Sequence, residues 1–253
     1  MRMERLILII LCLATVCSVM AVSSVYDKLE AKAERFVQFQ EWNSANAMYL
    51  LMLESKPNEI KTFARAIVTY GLLGEGERQL SLYEETQKRG MALDSVYNEV
   101  RDFAFNIGMP QQYENFLLLV KKSQLWFSRH INTHLLNYYD FRNDAINMVS
   151  VGSELLSVTP ENIHFLSIVA RGYMLMDDFD NSVATYNKIL SLDPDNYDSL
   201  LSLGNYYFMM WKSVERSRSQ MASIKYVARN YLQKAYALCA TPFVESMLAE
   251  IGD

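Results

Sequence analysis

The sequence predicts an all-α protein, a stack of about six helical hairpins closed by a terminal capping helix. Pro160 and Pro194 lie 34 residues apart and close similar phrases, Leu155-Leu156-Ser157-Val158-Thr159-Pro160 and Ile189-Leu190-Ser191-Leu192-Asp193-Pro194. Pro57 lies 103 residues before Pro160, three such periods plus one residue. Between residues 163 and 194, Leu166, Val169, Ala170 and Tyr173, then Ser182, Tyr186 and Ile189, recur at spacings of three and four. That spacing lays one apolar stripe along each of two helices. A fixed period of this length marks hairpins that bury their faces only by stacking on neighbours.

In chain order, residues 1–21 come first. Arg2 and Arg5 precede an uncharged apolar run from Leu6 to Val22, and Val19-Met20-Ala21 offers a small-x-small end. This is the pattern of a secretory signal peptide. The run of 17 residues is also at the lower limit for spanning a bilayer, so an uncleaved anchor is the alternative. Residues 22–253 carry no Pro/Gly/Ser-rich linker and read as one domain.

The first hairpin is read from Leu29, Ala33 and Phe36, then Ala45 and Tyr49, ending at Pro57. The second follows through Phe63, Ala66, Tyr70, Gly74 and Tyr83. The third and fourth are looser, with Gly108 and Pro110 marking a helix break and restart. The fifth breaks at Asp177-Asp178 and stops at Pro194, whose ring and missing N–H cannot continue a helix. Ala170, Ser182 and Gly204 are small where the helices of a hairpin must approach closely.

The sixth hairpin begins with Leu200, Leu203, Gly204 and Tyr207, but its second helix, through Ala228, Leu232 and Ala235, comes about twelve residues later than the period requires. The insertion falls within Met209 to Ser223 and is read as lengthening both helices by about one or two turns. Thr241 and Pro242 then supply an N-cap and a first-turn proline for a last helix through Ile251.

Charge and cysteine usage bound the partners. The leader takes Arg2, Arg5 and Glu4 from 24 basic and 29 acidic residues, leaving 22 and 28, a net of −6. Nucleic acid is therefore not expected as the general partner, because neutralising phosphates needs a basic surface. Cys239 is the one cysteine after the leader, so no disulfide forms within residues 22–253. No Asn-x-Ser/Thr acceptor occurs, which favours a bacterial periplasm over a eukaryotic secretory lumen. The sequence holds no Gly-rich phosphate loop, GxSxG elbow, CxxC pair or HExxH helix. Neither an enzyme nor a cofactor is expected.

Leu203-Gly204 and Tyr207, with Leu200 in place of a tryptophan, resemble the tetratricopeptide repeat pattern W-x2-L-G-x2-Y, followed by A-x3-F and a proline. The resemblance covers residues 26–242, strongest at both ends; Tyr113 and Met148 depart from it, standing where that family prefers small residues. It implies a right-handed superhelix whose first helices line a concave groove. The implied groove carries Lys61, Arg65, Asn98, Asp102, Phe105, Asn137, Arg171, Asn205 and Phe208. Such a lining suits a peptide or helix held by apolar anchors with polar edges. Asn137 and Asn205 match an asparagine of the family's carboxylate clamp, but Thr133 and Leu201 replace its lysine and Asp198 would repel a carboxylate. A C-terminal acidic peptide is therefore not the expected groove ligand.

Two further features stand out. His130 and His134 are one turn apart, with His164 at the site equivalent to His130. They could share a metal ion or be ordinary polar groove residues. Lys212, Arg216, Arg218, Lys225, Arg229 and Lys234 form a basic stretch against Glu215 alone. It is read as a solvated face with Trp211 packed between two lengthened helices, or as a site for an acidic partner or anionic membrane. The expectation is a non-enzymatic scaffold of the exported, periplasmic compartment, binding a peptide or protein subunit, with self-association open. The alternatives are an assembly factor tethered by an uncleaved N-terminal helix and a small metal-binding module on His130 and His134.

Overall fold

The computed structural model describes residues 25–213 and 218–252; the leader, with its signal-peptide or anchor reading, lies outside the described residues. Thirteen α-helices and no strand occur among the described residues. They are α1 (residues 25–38), α2 (Trp42–Ser55), α3 (Ile60–Leu72), α4 (Gly76–Lys88), α5 (Leu93–Asn106) and α6 (Gln111–Ser123). A single 3₁₀ turn (Leu125–Phe127) leads to α7 (Ser128–Arg142), α8 (Ala145–Val158), α9 (Ile163–Leu175) and α10 (Phe179–Leu192). The last are α11 (Tyr197–Ser213), α12 (Arg218–Leu238) and α13 (Pro242–Ile251). Odd and even helices pair into the six expected hairpins, and α13 is the cap. The fold is all-α, built of helical hairpins with a terminal cap.

The repeat is written most clearly in the backbone. Gln40, Gly74, Gly108, Asn143 and Asp177 all have φ between 51° and 72°, at intervals of 34, 34, 35 and 34 residues. Each ends the first helix of its hairpin. The following N–H returns to the carbonyl five residues back: Glu41 to Phe36, Glu75 to Tyr70, Met109 to Ala104, Asp144 to Tyr139 and Asp178 to Tyr173, at 2.8–2.9 Å. This 6→1 bond with a left-handed residue is the Schellman termination. Among the second helices, α4 ends the same way, with Gly90 at φ 67° and the Met91 N–H bonded to the Thr86 carbonyl at 3.0 Å, whereas α2, α8 and α10 end before a proline. Lys56, Thr159 and Asp193 are extended at φ −132°, −129° and −137°, as a residue before proline prefers.

By its contacts the chain divides into two compact units, through Ile131 and from Asn132 onward. In the first, α3 packs against α2, α4, α5 and α6, so Phe63, Ala64, Ala66, Ile67 and Val68 are all buried whichever way they face. Beside it, the rings of Tyr83, Tyr97 and Phe116 lie 5.4–6.0 Å apart. The hydroxyls of Tyr83 and Tyr97 are hydrogen-bonded. Tyr113 is buried too, so bulky rings fill space that small residues leave to the backbone in a regular repeat.

In the second unit, α9 packs between α8 and α10, and α11 against α12. Ser182 Oγ donates to the Ala170 carbonyl at 2.9 Å, the close approach that its small side chain permits. Met148, like Tyr113, is buried rather than excluded. The sixth hairpin is lengthened as expected, to 17 residues in α11 and 21 in α12. Its core joins Phe208, Ala228 and Leu232 to Val244, Met247 and Ile251 of α13, with Trp211 packed on the edge. The cap therefore covers the last apolar face, as a stacked array requires. Thr241 accepts from the Val244 N–H, with Pro242 in the first turn. Thr241→Ala is expected to lower stability by about 1 kcal/mol, read from the midpoint of urea unfolding at unchanged slope.

Candidate functional site

The first-helix faces place the predicted binding residues, and each unit treats them differently. In the first unit, α1 brings Glu30 and Glu34 to α3. Arg65 pairs with Glu30 at 2.9 Å and with Glu34 at 3.9 Å. Its guanidinium stands 5.8 Å from the rings of both Tyr49 and Phe103. Only 12% of its side chain remains exposed. Arg65 is thus a packed ion-pair residue, not a hook held out to a ligand. Lys61 is more open, 4.0 Å from Glu30.

On α5, Asn98 and Asp102 are exposed and Phe105 half-buried. Asp102 is paired with its neighbour Arg101 at 2.8 Å. Phe103, not singled out from the sequence, is the aromatic that meets Arg65 and lies edge-on to Tyr49 at 6.2 Å. His130, at the start of α7, has Nε2 3.2 Å from Asp94 Oδ1 and its ring 5.3 Å from Tyr97. Asp94 was equally unremarked, because it precedes His130 by 36 residues and only stacking brings them together. His134 follows one turn later on the same helix.

In the second unit the face is a polar lattice. His164 Nε2 lies 2.8 Å from Asn137 Oδ1, a bond in which the Nε2–H tautomer donates. Arg171 forms an ion pair with Asp140. Asn137, Arg171 and Asn205 recur at 34-residue intervals, so α7, α9 and α11 each offer a polar group at the same level. Asn137 and Arg171 are exposed and Asn205 half-buried. Beneath them burial raises the Tyr186 phenol, opposed by a hydrogen bond to Ser202 and by the Arg171 charge.

Phe208 requires a correction. It is 5% exposed and packs into the core shared by α11, α12 and α13, so it offers no surface to a ligand. The lengthened sixth hairpin surrounds a ring that an ordinary repeat would leave on the lining. Lys212 Nζ sits 5.4 Å from the Phe208 ring and 2.6 Å from Glu250, which ties one cation of the basic stretch to the cap. Residues 214–217 of that stretch lie outside the described residues.

No family model matches this chain, and no curated protein matches it. Among solved structures it is similar to a tetratricopeptide repeat protein from Parabacteroides merdae (13% identity, 90% of this chain and 99% of that one, TM-score 0.41). It is similar also to pilF of Pseudomonas aeruginosa (12%, 91% and 99%, TM-score 0.47). A third is the TPR2AB domain of yeast Sti1 in a pHSP90 complex (13%, 91% and 100%, TM-score 0.38). At these low identities and TM-scores, what this chain binds has to be read from its own residues.

Proposed function

We propose that this protein is a non-enzymatic interaction scaffold that holds a peptide segment or protein subunit against the first-helix face of its second unit. The observation that carries this is the lattice of Asn137, Asp140, His164, Arg171 and Asn205, which presents amides and a charged pair at repeat spacing on α7, α9 and α11. Amide side chains supply both donors and acceptors, which is what recognition of another chain's backbone demands. In the first unit, taken by itself, Lys61, Asn98 and Asp102 stay exposed while Arg65 is committed to Glu30 and Glu34. The site of action is the periplasm or cell envelope, reading residues 1–21 as a cleaved leader. No helix among the described residues is long and apolar enough to cross a membrane. Sequencing the N-terminus of protein from the envelope decides between cleavage and a retained anchor: a start near Val22 removes the tether.

The binding face is tested by placing a photo-crosslinker at Asn137 or Asn205, with Lys188 on the exposed side of α10 as control. One discrete partner is expected from the first two positions and none from the third. Arg171→Glu should abolish that adduct while costing less than about 1 kcal/mol of stability, since an exposed ion pair contributes little. Equal crosslinking from Lys188, or an adduct indifferent to Arg171→Glu, overturns the reading.

A further inference from the structure

The first hairpin carries a second surface that the scaffold reading does not use. Helix α1 is charge-segregated. Glu30 and Glu34 turn to Arg65, whereas Lys32 and Arg35 line a hollow of about 430 Å³ with Phe36, Phe39, Glu41 and Met48. Phe39 is 71% exposed, an aromatic ring standing in solvent. Two cations against the single carboxylate of Glu41, around two phenylalanines and a methionine, leave a net positive apolar hollow that suits an occupant bringing an apolar side chain and negative charge together.

The chain holds such an element at its other end. Helix α13 turns Val244, Met247 and Ile251 into its own core and leaves Phe243 57% exposed. Glu245 and Glu250 are exposed on the same short helix, and no lysine or arginine occurs from Ala235 to Asp253. The outer face of α13 thus sets an exposed ring beside Glu245, while Glu250 further along is already paired with Lys212. The apolar run before Val22 suits the hollow less well, because Arg2 and Arg5 introduce it and repeat the sign of Lys32 and Arg35.

We propose that the hollow on the first hairpin receives α13 of a second copy of this chain, with Phe243 entering between Phe36 and Phe39 and Glu245 meeting Lys32 and Arg35. The contact is head-to-tail, joining unlike surfaces of two copies. It neither uses nor requires the lattice on α7, α9 and α11. An amphipathic helix laid in a groove is a recurrent recognition mode, and a contact of this size belongs among weak, concentration-dependent ones.

Two single variants test it, Arg35→Glu in the hollow and Phe243→Asp on α13. Sedimentation velocity between about 1 and 100 μM, a range bracketing weak association, is expected to show concentration-dependent assembly of the unmodified protein. Each variant alone should stay monomeric, its dissociation constant raised about tenfold or more, the effect of losing one charge pair or anchor. Mixed together, the variants should form a one-to-one pair and nothing larger. The Arg35→Glu chain still offers an intact α13, the Phe243→Asp chain an intact hollow, and the remaining junction sets two carboxylates against each other. Recovery on mixing also shows that both variants are folded. A protein monomeric throughout the range, either variant assembling like the parent, or a mixture that fails to pair would each overturn the proposal.

Discussion

Gly204→Leu is expected to cost about 1–3 kcal/mol or more of stability, the range for forcing extra carbon into a well-packed core. A Cβ at this position would stand 2.8 Å from Leu232 Cδ2, 2.9 Å from Leu232 Cγ and 3.3 Å from the Leu232 backbone N. Leu232 has no room to retreat, being fully buried between α11 and α13 with Phe208 and Ala228 around it. The larger side chain must therefore pry α11 from α12. For a chain of this length each kcal/mol lowers the melting temperature by about 2–4 °C. Gly76→Ala is the control, because its added Cβ would meet only Leu119 Cδ2, at an ordinary 3.9 Å. A melt of Gly204→Leu that overlays the control would refute the close approach.

The second large effect is alkaline. Burial pushes the Tyr49 phenol up to about 12, with Arg65 pulling the other way and Glu34 and Glu30 adding to the rise. Burial likewise raises Tyr83, Tyr97 and Tyr113, and the Tyr83 hydroxyl adds to the rise at Tyr97. In an unfolded chain each tyrosine ionises near pH 10. Stability is therefore fully present below about pH 10 and is lost as pH rises through the folded-state values, because there the unfolded chain releases protons that the folded chain keeps. Tyr49 alone accounts for about 3 kcal/mol between pH 10 and 12. Helix content followed by circular dichroism should collapse cooperatively in that window, together with the rise of tyrosinate absorbance. Tyrosines that ionise near pH 10 while the helices persist would contradict this burial.

Hairpin number, the late second helix of the sixth repeat and the cap at Thr241 were legible in the residues, because each follows from spacing, proline or capping chemistry. The middle repeats were not. Their turns use Gly108 and Asn143 in the same left-handed conformation as Gly74, and the first uses Gln40. Side chains at such a turn vary, so only the backbone reveals the common device. The one-residue excess between Pro57 and Pro160 sits in the interval from Gly108 to Asn143, which includes the 3₁₀ turn Leu125–Phe127. The resemblance also names a face without giving its depth. It assigned Arg65 and Phe208 to a lining, whereas two glutamates packed from α1 cover the first and a lengthened hairpin buries the second. Glu30, Glu34 and Phe103 escaped notice for the converse reason: ordinary residues on helices acquire a role only from the neighbours that stacking supplies.

The third hairpin ends without a proline, yet Gln124 holds φ −128° and ψ 74°, close to the −129° and 73° of Thr159 before Pro160. Gln124 is 5% exposed, and its amide exchanges two hydrogen bonds with Gln87, at 2.9 and 3.0 Å. Two glutamines, 37 positions apart, thus accomplish locally what a ring does in the first, fourth and fifth hairpins. Either one replaced alone strands an amide in an apolar interior, whereas exchanging both for hydrocarbon is far milder. Among descendants of this sequence the couple should drift jointly, and a proline at residue 125 would release both partners from that bond.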